Sequence, residues 1–553
     1  MATDMEAPVR RPQLSRKACP RSVGCRCGPG GVTRRRQTST SRRVVMNTRT
    51  VGCLLGLCMA GTACRDKASD SGRSETAGSI GAAVTIDGTA VLHTIDERFL
   101  SFAVDSSQVA GTEFWAEEGG DEVEVSIEKF DFDRPALRPL VAALSPAMMR
   151  IGGTDADHLW YDLSGGPVEP PEGSRGVIDA PTWNTLTTFA RDTGVELFFT
   201  LNAGPSVRDG DGAWMSENAE SLLAHAAERG DPVAAWELGN ELNAFPLEFG
   251  FTVTGEQYGA DMAALADIRN THTPTVPIMG PSVAYLPESG EFIPYMEGAL
   301  THAGPHLDVV TWHYYPQQSE RCPIQTRLAE PEVLLDPLHL SEVDVWAEEV
   351  EQLAALYAPD AAVWLGESGN AQCGGALGVS DTWASTFWFL DQLGTIARRA
   401  QPIMVRQTLS GSDYGMLDDE TLTPRPDYWG ALLWRQTMGT RVLSVASASE
   451  SLRTYAHCHP DGGGAVSLLA INLEPGRTVR VGVAGMSSRN MLVHVLEADE
   501  LAAQDVRYNG RPLVFEEDFV LPELPGEVRT RFELPPRSIG FAVLQSAGAA
   551  ACE

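Results

Sequence analysis

The sequence predicts an α/β chain: a (β/α)8 TIM barrel with a C-terminal β-sandwich domain completed by an N-terminal strand. Three observations carry this expectation. Eight near-continuous apolar runs of strand length, mostly followed by helix-like stretches, lie between Phe99 and Leu409. That alternation marks a parallel sheet covered on both faces. Two of the runs, Trp236-Glu237-Leu238-Gly239-Asn240-Glu241 and Val363-Trp364-Leu365-Gly366-Glu367, end in a carboxylate. From about Gly439 the texture changes to short alternating strands separated by Gly and Pro turns, the pattern of an antiparallel sandwich.

The chain has 553 residues, more than one hydrophobic core usually serves, so two folded domains are expected. Residues 1–45 are rich in Arg, Pro, Ser and Gly and have no apolar period; translation is expected to begin at Met46. Residues 46–64 then read as a secretory signal: a basic start, an apolar run from Val51 to Met59, and small residues at the cut. The run is too short for a stable membrane span. Cys64 stands where a bacterial lipoprotein takes its lipid anchor. Gly61 occupies a position that is usually Leu in such signals, so simple cleavage and release is the alternative. The expected location is outside the cytoplasm: cell-surface or periplasmic lipoprotein, or secreted. Residues 65–83 read as a Ser/Gly-rich flexible linker. Residues 84–98 hold a strand without a barrel role, assigned to the sandwich.

The barrel is expected over residues 99–438. Its strands are Phe99–Asp105, Met148–Gly153, Val195–Asn202, Ala234–Glu241, Val276–Ser282, Val309–Tyr315, Ala362–Ser368 and Ile403–Leu409. Segments 135–145, 181–193, 215–229, 255–269, 341–357 and 380–399 carry helical apolar spacing. Counted this way, Glu241 ends the fourth strand and Glu367 the seventh. The sandwich, residues 439–553, is expected to use Val442–Ala446, Ser451–His457, Ala465–Asn472, Thr478–Val483, Met491–Leu496 and Ser538–Leu544.

Composition narrows the function. From Cys64 onward the chain carries 30 basic and 72 acidic residues, a net of −42. Such a surface repels nucleic acid and anionic membrane, and neither is expected as a partner. Four cysteines follow Cys64, namely Cys322, Cys373, Cys458 and Cys552. An even number in an exported chain fits two disulfides. No CxxC or His cluster accompanies them, so no metal and no cofactor is expected.

A strand that ends in an acid delivers it to the C-terminal face of a barrel, where such enzymes keep their chemistry. Two acids there suit a glycosidase: one protonates the leaving oxygen and the other attacks or activates water. The plainer alternative is that each Glu caps a helix or pairs with an Arg.

The chain resembles heparanase and the related β-glucuronidases of glycoside hydrolase family 79. The resemblance rests on ordered blocks: Phe99-Leu100-Ser101, Met149-Arg150-Ile151-Gly152-Gly153-Thr154, Leu201-Asn202-Ala203, Trp236 to Asn243, Thr311-Trp312-His313-Tyr314-Tyr315, Val363 to Glu367, Met404-Val405-Arg406-Gln407, Pro426-Asp427-Tyr428-Trp429 and Ala470-Ile471-Asn472-Leu473. It implies a retaining mechanism with Glu241 as acid/base and Glu367 as nucleophile, acting on a glucuronic-acid-containing glycan or a glucuronide. A monomer is expected. Asn240 would hold the sugar's 2-hydroxyl, with a strand-end turn residue as its alternative. Tyr315 sits two residues beyond His313, on the same side of its strand, and would donate to Glu367, with a buried core aromatic as its alternative. Gly374, Gly375 and Tyr414 match the family's donors to the glucuronate carboxylate. Asp157 matches a hydroxyl-binding residue, with a helix cap as its alternative. Asn202 and Gln407 belong to the same substrate-binding set.

Departures accompany the match. Cys373 stands where heparanase has a Tyr, and that loop is one residue longer. Cys322, just past the sixth strand, is expected to pair with Cys373 and brace the loop. Cys458–Cys552 matches the family's disulfide between tail and sandwich. The basic clusters that grip heparan sulfate are missing, which favours less sulfated or short glucuronides. A barrel glycosidase for a neutral sugar, arabinofuranosidase-like or xylosidase-like, and a surface carbohydrate-binding protein without catalysis are the competing readings.

Overall fold

The computed structural model describes residues 78–116, 123–166, 169–285, 291–486, 490–515 and 520–553. The signal segment, Cys64 and the linker up to residue 77 lie outside the described residues. Eight parallel strands close into a barrel: Leu100–Asp105, Ala147–Gly152, Val195–Leu201, Val233–Leu238, Ile278–Ala284, Val309–Tyr314, Ala362–Ser368 and Met404–Arg406. The eighth strand pairs with the first, Met404 opposite Leu100, which completes the ring.

The six helical segments read from sequence are present as Leu137–Leu144, Ala180–Thr193, Glu217–Arg229, Gly255–His272, Glu342–Tyr357 and Trp383–Arg398. Local chemistry sets their ends. For Ala180–Thr193, Asp179 caps the start by accepting from the Thr182 amide, Pro181 opens the first turn, and Gly194 ends it in the left-handed region at φ 73°. Two further helices, Phe292–Ala303 and Pro426–Thr437, follow the fifth and eighth strands. The second is buried along nearly its whole length. Among the described residues, no helix is long and apolar enough to cross a membrane.

The sandwich contains a four-stranded and a nine-stranded sheet. Strand Val466–Asn472 shows how it is built. Val466, Leu468 and Ala470 face the core between the two sheets, while Leu469 and Ile471 face the core shared with the barrel. Successive side chains of a strand point to opposite faces, so one strand serves both cores. Arg453 and Tyr455 of the adjacent strand reach the carboxylate of Asp391 on the seventh barrel helix. The N-terminal strand is Ser79–Ile86, paired in parallel with Thr478–Ala484 and antiparallel to Val445–Ser447. It therefore begins within residues 79–83, which composition assigned to the linker. Every second residue, Ala82, Val84 and Ile86, is buried, and that alternation outweighs the small, polar composition.

Candidate functional site

The barrel interior is layered by the two-residue period of its strands. The lower layer is apolar and includes Met148, Phe198, Ala235, Met279, Val309 and Trp364. Two residues further along four of these strands stand Arg150, Thr200, Glu237 and Thr311, all buried. Arg150 lies over the Phe198 ring, 5.5 Å from its centroid. Its Nε and Nη2 donate to Glu237 Oε2 at 3.1 and 2.9 Å. Thr200 and Thr311 donate to the same carboxylate at 2.8 and 2.9 Å. A buried ion pair is tolerable only when its remaining hydrogen-bonding capacity is met in this way.

Above this layer the same guanidinium reaches the mouth. Arg150 Nη1 donates to Glu367 Oε2, and Nη2 donates to Asn240 Oδ1 at 2.9 Å. Glu367 lies within the seventh strand, and Tyr315 donates its hydroxyl to Oε1 at 2.6 Å. Burial alone would raise this carboxyl. His313, Arg150 and the Tyr315 hydroxyl outweigh it and hold Glu367 below the usual carboxylate range.

Glu241 is positioned differently. The fourth strand ends at Leu238, the chain turns through Gly239 at φ 75°, and Glu241 takes a left-handed conformation at φ 51° and ψ 51°. Its amide donates to Ser282 O at 2.9 Å. His313 Nδ1 meets Glu241 Oε1 at 2.9 Å and lies 3.9 Å from Glu367 Oε2. His313 Nε2 meets Ser282 Oγ at 2.8 Å. One atom from each of Glu241, His313 and Glu367 lies within 4.8 Å of the others. These are the groups that could converge on a metal ion. The Arg150 guanidinium, shared between Glu237 and Glu367, holds one oxygen of Glu367 in place beside Glu241.

A cavity opens above the two acids. Asn240, Tyr315, Gln407 and Tyr414 line it, as do Asp105 and Thr154. Its outer wall carries Glu113, Glu124, Asp155 and Glu248 beside Phe245, Leu247, Phe249 and Ile324. No Lys or Arg among the described residues lines it. Burial, with Glu367 nearby, keeps the Tyr315 and Tyr414 hydroxyls protonated far above neutral pH, so both are hydrogen-bond donors.

The other sequence-predicted residues divide. Gln407 Nε2 donates to Asp105 Oδ2 at 3.1 Å, while its buried Oε1 has no partner among the described residues. Asp157 lines the cavity, yet its oxygens accept from the amides of Ala203 and Asn240 at 2.7 and 2.8 Å. It holds the fourth-strand turn, and burial pushes its carboxyl up to about 7 against those two amides. Asn202 is not brought to the cavity lining. Its amide group is spent on Leu159 O, Ser206 Oγ and the Gly204 amide, so it shapes the third-strand loop. Gly374 and Gly375, at φ 83° and 85°, flank the wall rather than line it. A Cβ on Gly375 would stand 2.7 Å from Tyr414 Cβ, which is why the loop needs glycine. The cysteines pair as Cys322–Cys373 and Cys458–Cys552.

Sequence reasoning missed Asp105, Arg150, Glu237, Ser282, His313 and Arg321. Arg150 and Glu237 do leave a signal, since each is a charge inside an otherwise apolar strand. Asp105 packs against Gly153, where a Cβ would stand 2.2 Å from its Oδ2. Burial raises its carboxyl to about 7, helped by the charges of Asp155 and Glu367 and opposed by donors from Ser107.

Comparison with known proteins places this geometry. The chain is 30% identical over 482 residues to heparanase of Gallus gallus, covering 76% of this chain and 89% of that protein. It is 28% identical over 517 residues to hyaluronoglucuronidase of Hirudo nipponia, covering 85% and 99%. It is 30% identical over 405 residues to "Inactive heparanase-2" of Homo sapiens, covering 68% and 66%. In fold it is similar to the GH51 arabinofuranosidase from Xanthomonas axonopodis pv. citri, with TM-score 0.57 at 15% identity, covering 84% of this chain and 100% of that one. Residues 81–394 match the N-terminal domain of glycosyl hydrolase family 79. With a closed barrel, two facing strand-end carboxylates and these relatives, the chain belongs to glycoside hydrolase family 79, the heparanase-like retaining glycosidases of clan A.

Proposed function

We propose that this glycosidase cleaves β-linked glucuronic acid from a glycan or glucuronide by double displacement, in an exported location. The observation that carries the reading is the pairing of two carboxylates, in different backbone settings, of which one oxygen each lies within 4.8 Å of the other. That closeness suits direct attack on the sugar, because a water-activating pair stands roughly 6.5–9.5 Å apart.

Glu367, held ionised by Arg150, His313 and Tyr315, attacks the anomeric carbon. Glu241 gives its proton to the leaving oxygen. In the second half Glu241 takes a proton from water, which attacks the glycosyl-enzyme and frees Glu367. His313, on Glu241 Oε1, orients the carboxyl through both steps. Arg150 fixes Asn240 Oδ1, which leaves the Asn240 amide nitrogen for the 2-hydroxyl. Tyr414 and the amides of Gly374 and Gly375 take the glucuronate carboxylate. Four carboxylates on the outer wall, Glu113, Glu124, Asp155 and Glu248, outnumber the one guanidinium, Arg175, that pairs with three of them, which disfavours a densely sulfated leaving group. Two disulfides among the described residues support an oxidising compartment outside the cytoplasm.

The test compares 4-nitrophenyl β-glucuronide with the matching β-glucoside and follows the first-formed sugar by proton NMR. Free glucuronic acid that appears first as the β-anomer, with the glucuronide preferred over the glucoside, is expected. An initial α-anomer rejects the mechanism, and preference for a neutral sugar rejects the substrate. Tyr414→Phe is expected to lower kcat/KM about ten- to a hundred-fold more on the glucuronide, the value of a hydrogen bond to a charged group. A non-catalytic role is the second reading, favoured by the inactive relative; it predicts no turnover of either glycoside or of any glucuronic-acid-containing oligosaccharide.

A further inference from the structure

We infer that Arg321 is the positioning residue that sets carboxylate specificity, by fixing the peptide planes of the Cys373-Gly374-Gly375 loop. The inference rests on the glucuronidase reading and names a residue outside the cavity lining as its determinant.

Arg321 is buried, with side-chain exposure of 5%. All three of its guanidinium nitrogens donate. Nε donates to Cys373 O at 2.9 Å, Nη1 to Ala116 O and Nη2 to Gly375 O. Nη2 also pairs with Asp413 Oδ2 at 2.8 Å. Ser319 Oγ donates to the same Cys373 carbonyl at 3.1 Å. The next residue, Cys322, is bonded to Cys373 itself. One short segment, 319–322, thus grips the loop covalently and through two donors at a single residue.

The consequence follows from the geometry of a trans peptide, whose C=O and N–H point in opposite directions. None of the loop's peptide bonds is cis. The carbonyl of Cys373 turns towards Arg321, so the amide of Gly374 turns away from it. The carbonyl of Gly374 accepts from the amides of Asp413 and Tyr414 at 3.0 and 3.1 Å, so the amide of Gly375 turns away from that backbone. Neither glycine amide has an acceptor among the described residues. The third plane is held as well: the Gly375 carbonyl meets Arg321, and the opposite amide, of Ala376, donates to Ser380 Oγ at 2.8 Å. Trp115, Cys373 and Tyr414, which surround the pair, all line the cavity. Arg321 thus fixes the plane that carries the Gly374 amide and the one that follows Gly375, while the Asp413 and Tyr414 amides fix the plane between them, and two open amides stand beside Tyr414 as a nest for an anion. Asp413 balances its charge, so the selectivity comes from orientation.

The experiment measures kcat/KM for 4-nitrophenyl β-glucuronide and β-glucoside in wild type, Arg321→Lys and Arg321→Met. The ratio of the two is expected to fall about tenfold or more in Arg321→Met. Arg321→Lys is expected to recover only part of it, because one ammonium cannot hold two loop carbonyls and a carboxylate in a fixed fork. Full recovery by Lys would show that charge alone acts. Equal losses on both sugars, or no loss, would show a structural role only; each of these overturns the inference while leaving the glucuronidase reading intact. A wild type without preference for the glucuronide overturns that reading and the inference with it. Should Arg321→Met not fold, Arg321→Met combined with Asp413→Asn leaves no unpaired buried carboxylate and carries the same comparison.

Discussion

Glu367 and Glu241 face each other across the barrel mouth, yet the chain treats them as opposites. Glu367 sits inside a strand, 7% exposed, gripped by a guanidinium and a tyrosine hydroxyl. Glu241 sits three residues past its strand, in a left-handed turn, 20% exposed, with an imidazole as its side-chain partner. A strand fixes position and surrounds a group with buried charge. A turn beyond the strand sets a group at the cavity with an imidazole beside it. Identical side chains thereby acquire different chemistry from their backbone setting.

The largest effect expected from this contrast is at Glu367. Glu367→Gln should lower turnover by about 10^4-fold or more on every glycoside, because no glycosyl-enzyme forms without the nucleophile. Near-normal rates in stopped assays would end the assignment. Glu241→Gln should cost about 10^2- to 10^4-fold on substrates with poor leaving groups, the usual worth of general acid catalysis. The loss should be much smaller for formation of the glycosyl-enzyme from 2,4-dinitrophenyl glucuronide, which leaves without a proton. A burst of dinitrophenol reports this directly, and equal losses for both leaving groups would erase the proposed division of labour.

Tyr315→Phe sharpens the comparison further. The hydroxyl helps hold Glu367 low. Without it Glu367 binds its proton at higher pH, so the acidic limb of kcat/KM should move to higher pH, with a loss of about tenfold at the plateau. An unmoved limb would assign the limb to another group.

The smallest effect concerns Asp105. Its folded carboxyl titrates near about 7, against about 3.9 when unfolded. Between those values the native state keeps a proton that the unfolded chain has released, so this group makes stability fall as pH rises. Asp105→Asn should flatten the fall of Tm between about pH 4 and pH 7. An unchanged slope in thermal melts would show that Asp105 is already ionised in the fold.

Much of this was legible in the chain. The eight barrel strands announce themselves because each is apolar on both faces, and the two catalytic candidates because an acid ends an apolar run. The disulfide Cys458–Cys552 and the Tyr315 hydrogen bond followed from the family resemblance. The sequence by itself determined period, strand order and which acids reach one face, because those depend on local alternation and on chain direction. Only the tertiary structure decided that Arg150 serves Glu237, Asn240 and Glu367 at once, and that Arg321 grips the loop 52 residues ahead. It also withdrew Asn202 from the cavity and turned Asp157 towards backbone amides. These are contacts between distant strands and loops, and a side chain's partner there is set by barrel closure, which no local pattern encodes.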